Sequence, residues 1–451
     1  MINRLAALAL TLLVACAPVQ RDSALPTRAA SIVQDLPPMR AFAPAPLVPP
    51  KRSNAEIARD FLDLSFRMES GKELPFMTRF EGPITVRLTG ETSDQMLDDL
   101  HALLTRLRRE AGINILMTNE DDASITVEAI PLNTLQGVAP RAACFVVPRV
   151  ESWAEFSRKA GTSALDWSTL ERRERASVFI PSDAAPQEVR DCLHEELAQA
   201  IGPLNDLYRL PDSIFNDDNI HTVLTGFDML ILRAYYAPEM RNGMTEAEAL
   251  EVIPTVLARL NPAGRSISPQ SRSATSREWI DAMATAVSSG SSQNRRRRAA
   301  QSAIAIGTDS GWSGPRQGFA YYAYGRLEVA NDPQRALRAF DAAEALYRQS
   351  DNTDIHAAHI AVQKAAFTLA SGDTDATLAL TNAAIPVAEQ HQNAALLSTL
   401  MMFKAEALDM GGNNDAADAV RLDSLGWARY GFGSDRNVQA RLAEVASLRP
   451  F

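Results

Sequence analysis

The chain has 451 residues, 46% of them hydrophobic and 22% charged, with a formal net charge of −10. That length supports two or three domains with cores of their own. The acidic balance argues against nucleic acid as a partner, and beyond the N-terminus no apolar run approaches the roughly 20 residues of a membrane span.

Residues 1–15 place Arg4 before an apolar run, the pattern of a secretory signal. Leu13-Val14-Ala15-Cys16 resembles the bacterial lipobox. That resemblance implies cleavage before Cys16, acylation of Cys16, and a membrane partner held through the lipid. Several acyl chains at ~0.8 kcal/mol per buried methylene give stable anchoring. The alternative is an ordinary signal peptide with an incidental cysteine. Ala17 after Cys16 implies, by likeness to enteric lipoproteins, the outer membrane facing the periplasm. Residues 16–53 are rich in Pro and Ala and are expected to form an extended tether.

Residues 54–262 read as the first folded domain. A helix is expected over 55–68 and a strand over 83–88. A long amphipathic helix follows, capped by Thr92 or Ser93, with Leu100, Leu103, Leu104 and Leu107 on one face. Short apolar strands are expected at 113–117, 124–129, 144–147 and 177–180. Cys144 and Cys192 form an even pair in an oxidising compartment. A bridge between them would clip the sheet edge to the next helix, adding roughly 4 kcal/mol by loop entropy. The alternative is two buried free thiols.

The next helix carries most of the stretch 191–207, the densest group of ligand-type side chains in the sequence. Pro186 sits in its first turn and Gly202-Pro203 ends it. His194-Glu195 begins a zinc-type motif, but the position four residues on from His194 is Ala198, so the plain motif fails. One residue later, Glu195-Glu196-x-x-Gln199-x-x-Gly202-x-x-Asn205 has the spacing of the long zincin motif, with Glu, Gln and Asn in place of histidines. The order of strand, long helix, strands and polar helix is α+β and resembles the zincin metallopeptidase core. The helix motif, Pro211 to Phe215, Leu224 to Asp228, Tyr235-Tyr236-x-Pro238-Glu239-Met240 and Gly243-Met244 resemble the bacterial domain-of-unknown-function family 2927. The likeness implies a fold and a place for a site, and no reaction.

Three uses of the site stand open. Glu196 could serve as general base of a metal-dependent, peptidase-like hydrolase. Glu195, Gln199, Asn205, Asp206 and His194 could hold a metal or ligand without catalysis. Or the site is a relic kept for structure. A glutamate with two amides suits zinc poorly and a harder divalent cation better, so a metal is not the favoured expectation and no cofactor is assigned. A return of His221 to His194 is a further pairing the sequence offers. The loop carrying Asp206, Asp212, Asn216, Asp217, Asp218 and Asn219 lacks the spacing of a calcium loop and reads as solvated turns. A helix over 222–237 is expected, with Asp228 reaching back to the central helix. Thr245-x-x-Glu248 caps another helix.

Residues 263–315 read as a Ser/Arg-rich connector with short helices, its Arg295 to Arg298 run a solvated helix start or a contact for lipid phosphates or an acidic partner. Residues 316–451 carry Ala336, Phe340 and Ala343, recurring as Ala376, Leu380 and Ala383 and again as Ala416, Val420 and Asp423, a spacing of 40. This resembles a degenerate tetratricopeptide-like array, which implies a protein or peptide partner. Tyr321, Tyr322 and Tyr324 line its binding face or pack its core, and His356 and His359 read as surface residues. The expectation is a lipid-anchored envelope protein acting as a binding or assembly module, with the metallohydrolase as runner-up.

Overall fold

A computed structural model describes residues 36–43, 47–140, 142–270 and 273–450. The signal segment and Cys16 lie outside the described residues. An α/β region on a five-stranded mixed sheet is followed by a long stretch of tightly packed helices. Among the described residues no helix is long and apolar enough to cross a membrane.

The α/β region runs α1 (Asn54–Ser65), β1 (Ile84–Gly90), α2 (Asp94–Glu110), β2 (Ile115–Met117), β3 (Ile125–Ile130), α3 (Leu132–Val138), β4 (Phe145–Pro148), α4 (Trp153–Lys159), β5 (Ala176–Pro181) and α5 (Pro186–Ile201). The sheet order is β2-β1-β3-β5-β4, with only β4 antiparallel to its neighbour. Because strand side chains alternate between faces, Val127, Val178, Ile180 and Val146 meet the leucines of α2 and the apolar side of α5 in one core. Phe145 and Phe179 point the other way, into an aromatic cluster with Trp153 and Phe156 whose ring centroids lie 5.1–6.3 Å apart. Cys144 and Cys192 are joined, their Cα atoms 5.9 Å apart, which ties the lead into β4 to α5.

Next come α6 (Gly226–Tyr235), α7 (Glu246–Leu260), α8 (Arg277–Val287), α9 (Gln293–Asp309), α10 (Pro315–Glu328), α11 (Pro333–Arg348), α12 (Asp354–Ala370), α13 (Thr374–Gln390), α14 (Ala394–Met410), α15 (Asn414–Phe432) and α16 (Asp435–Ala446). The helix expected over 222–237 starts at Gly226, because Thr225 and Asp228 form a capping box there. Asp228 does not reach the central helix. Its carboxylate accepts from Thr225 N at 2.7 Å, from Ile214 N at 3.1 Å and from the Ser213 hydroxyl. The Thr245–Glu248 capping box is present at α7. Helices α8 and α9 join the array's core, with Trp279 buried against Tyr208 and Trp312. Tyr322 and Tyr324 are buried there too.

The repeat differs in register from the sequence pattern. Asp332 and Asp373, which cap α11 and α13, stand 41 residues apart, and Asn413, ahead of α15, stands 40 beyond. The buried counterparts of Ala336, Ala343 and Tyr347 are therefore Thr377, Ala384 and Ala388, then Ala417, Ser424 and Ala428. Ala383 and Ala416 are exposed. Alanine occurs on both sides of these helices, so its recurrence did not mark the buried side; the caps fix it.

The expected tether is also corrected, for its described part. Residues 36–43 and 47–53 lie against the folded body as a strap. Phe42 stacks on Trp427 with centroids 4.4 Å apart, Arg40 N donates to Gly426 O at 3.1 Å, and Arg40 pairs with Asp423. A Cβ at Gly426 would come within 2.9 Å of Arg40 Cγ, and one at Gly226 within 1.8 Å of Val48 O, so both glycines give the strap its path.

The strap ends in a buried ion network. Arg52 pairs with Asp60 at 3.0 Å and with Asp212, while Arg209 pairs with Asp60 at 2.8 Å and Asp63 at 2.6 Å. Asn352, from the array, donates to Asp212 Oδ2 at 3.1 Å. Removing one member of a buried pair leaves the other charge uncompensated, at about 3–5 kcal/mol. Asp60→Asn is expected to lose about that much in urea unfolding. A loss below about 1 kcal/mol would show that the two guanidiniums do not depend on Asp60.

Candidate functional site

Helix α5 is held at every level. Pro186 starts it, and Gln187 Oε1 accepts from Ala395 N at 3.0 Å while Gln187 Nε2 donates to Asn393 Oδ1 at 3.2 Å. Arg190 Nη2 donates to Gln392 O at 2.6 Å and its guanidinium lies over Tyr430 and Phe42. At the other end Arg173 donates to Gln199 O at 2.7 Å and Ala200 O at 2.8 Å, and Tyr236 donates to Ile201 O at 2.7 Å. A buried cation on the last carbonyls suits the negative end of the helix dipole. Gly202 closes the helix where a Cβ would stand 2.8 Å from Leu232 Cδ2.

The structure brings some of the expected site residues together and parts others. Gln199 Nε2 donates to Asp206 Oδ2 at 3.4 Å, so the chain past Gly202 does fold back. Asn205 turns away and donates to Asp63 O at 2.8 Å. His194 Nδ1 accepts from Leu224 N at 3.1 Å, and burial, then Arg106 and Arg190, hold His194 well below the usual range. His221 does not return to His194; its Nε2 donates to Pro211 O at 2.8 Å.

Glu195 and Asp206 instead share a carboxylate cluster with Glu69 and Asp217. Burial, and then Glu69 and Asp217, push Glu195 up to about 8. Burial, and then Glu69, Glu195 and Asp217, hold Asp206 well above the carboxylate range. Glu196 is buried, and burial followed by Glu195 and Glu69 holds its carboxyl well above the usual carboxylate range. Among the described residues no three His, Cys, Asp or Glu side chains are arranged to hold a metal ion.

Residues 54–255 match the family DUF2927, described as a protein of unknown function. No curated protein and no solved structure matches the chain at a significant level.

A second feature lies where the DUF2927 region meets the array. A cavity of about 820 Å³ is walled by Val48 to Lys51 of the strap, by the segment from His221 to Phe227, and by the turns before α12 and α14. His221 stands 5.4 Å from His391 and 6.0 Å from His356, ring centre to ring centre. His356, expected on the surface, is buried, and its Nε2 donates to Asp218 Oδ2 at 3.1 Å across the seam. His359 is half-buried beside Tyr322. Sequence reading missed these histidines because their partners are about 140 to 170 residues away in the chain. It missed Glu69 for the same reason. The acidic loop was visible, and its Asp212 and Asp218 both meet the array.

The two clusters titrate in opposite senses. Glu195 has a raised folded pKa, so its contribution is intact below 4.5 and is lost as pH rises through about 8. Glu195→Gln should match the parent melting temperature near pH 4.5 and exceed it by a few degrees above pH 8; equal melting at both values would refute the cluster. His221 is depressed to about 3 by burial, His391 and His356, so stability present above 6.5 is lost as pH falls toward 3. His221→Gln keeps a side-chain N–H for Pro211 O, and its melting temperature should fall less steeply across that window than the parent's. Parallel slopes would sink this assignment.

Proposed function

We propose that the chain is a lipid-anchored binding or assembly module of the cell envelope whose ligand site is the seam cavity rather than α5. The observation that carries the reading is the cavity of about 820 Å³, lined by both halves of the chain and by none of Glu195, Glu196, Gln199 or Asp206. Its size is in the range that buries a small ligand. The lipobox at Cys16 supports the anchor and the envelope. In this reading α5 is a keystone, one half docked on the array and the other closing over the carboxylates. A hydrolase with Glu196 as base would need that carboxylate ionised and open to water, whereas its side chain is buried and burial, then Glu195 and Glu69, raise its pKa.

The test places a photoreactive benzoylphenylalanine at Ala357, on the cavity wall, or at Leu250, an exposed residue of α7, in the full chain in intact cells. A discrete adduct at 357 and none at 250, unchanged by Glu196→Gln, is expected. Stoichiometric divalent metal that disappears in Glu195→Ala and Gln199→Ala, with a hydrolytic activity lost in Glu196→Gln, would overturn the reading in favour of the hydrolase.

A further inference from the structure

We propose that the seam cavity takes a short extended peptide, lying alongside the strap; this rests on the binding reading above and names its ligand class. Three observations carry it. The first is that the seam already holds an extended chain through main-chain atoms. Arg429 Nη1 donates to Pro37 O at 2.9 Å, Arg40 N donates to Gly426 O at 3.1 Å, and Gln392 Nε2 donates to Ala43 O at 3.2 Å. Gln392 is also a cavity-lining residue, so the device that grips the strap reaches into the cavity wall.

The second observation is the charge on the walls. Lys51 and Asp351 both line the cavity, and among the described residues neither has a hydrogen bond or ion pair. Most other charges there are taken: Arg106 by Glu110, Arg348 by Glu344, Asp354 by His391, and Asp212 by Arg52 and Asn352. One unpaired cation and one unpaired anion on opposite chain segments suit a ligand carrying both signs, as a peptide with free termini or mixed side chains does. The third is on the strap wall, where Val48 lines the cavity and remains 55% exposed. It offers apolar contact to a side chain near the Gln392 amide.

Other ligand classes meet specific obstacles. A glycan would look for an open aromatic face, yet the Arg52 guanidinium covers Phe227 at 4.2 Å and His356 packs on Tyr347 at 4.9 Å. A nucleotide would need clustered free cations, and Lys51 stands without a second. An acyl chain would need an unbroken apolar lining, which Asp351, Lys51, His221 and His391 interrupt.

The experiment uses the purified full chain with benzoylphenylalanine at Ala357, irradiated with a pooled library of random hexapeptides, and with Leu250 as the control position. Parallel arms use N-acetylhexosamine oligosaccharides and phosphatidylethanolamine–phosphatidylglycerol vesicles. Peptide adducts at 357 and not at 250 are expected. The best captured peptide should bind roughly tenfold more weakly to the Lys51→Ala/Asp351→Ala double variant. That variant changes exposed side chains, and an unshifted melting temperature confirms its fold. Ala357→Trp, which fills the cavity, should abolish binding. Equal adducts at both positions, unchanged affinity in the double variant, or capture of the oligosaccharide or vesicle arm instead would overturn the proposal. An adduct in intact cells with none from the peptide pool removes the peptide class and leaves the binding reading standing. Absence of both removes both.

Discussion

The arrangement depends on two guanidiniums buried around one carboxylate. Arg52 and Arg209 flank Asp60, and each is itself about 5% exposed or less. Through them the strap, α1, the loop after α5 and, by Asn352, the array meet at one place. Burying such charges costs several kcal/mol per ion before their attraction is counted. The network is therefore a weak source of net stability and a strong source of specificity: a displaced strap or a shifted array would strand a charge in the interior. An apolar seam of the same area would tolerate sliding.

That constraint explains why α5 is buried on almost every side. A helix that presents a catalytic face needs an open cleft along it. Here the N-terminal half meets Asn393 and Gln392, the middle is tied to the lead into β4 by Cys192, and Gln199 of the C-terminal half bonds Asp206. Three of the polar residues that made this segment conspicuous hold it in place: His194 accepts from Leu224 N, Asn205 donates to Asp63 O of α1, and Gln199 donates to Asp206 of the returning loop. Buried backbone must be satisfied wherever it lies, and His194 and Asn205 each serve one such group.

Local signals were legible in the sequence and distant ones were not. The strands, the long α2 stripe, Pro186 at the start of α5 and the Thr245–Glu248 box all follow from short-range chemistry, and the structure has them. Helices α3 and α4 were missed, as each is only seven residues and too short to show a period. The strap was misread because proline content predicts extension and says nothing about whether the extended chain is bound. His356 was misread because an isolated helix gives no sign that Asp218 will face it.

The same long-range pairing settles how much of the array remains for other partners. The first helix of each pair already meets the chain's own N-terminal region: Phe319 of α10 lies 6.1 Å from Tyr208, His356 of α12 bonds Asp218, and the start of α14 bonds Gln187. A repeat array with its inner helices so occupied acts first as a clamp. The clamp does not close fully at the gap bounded by the strap, the His221 segment and the turns before α12 and α14, which is where the proposed ligand would be received. Because the strap forms one wall of that gap, whatever fills the gap is energetically linked to the position of the strap, and any ligand that prefers one strap position must shift the strap by its differential affinity.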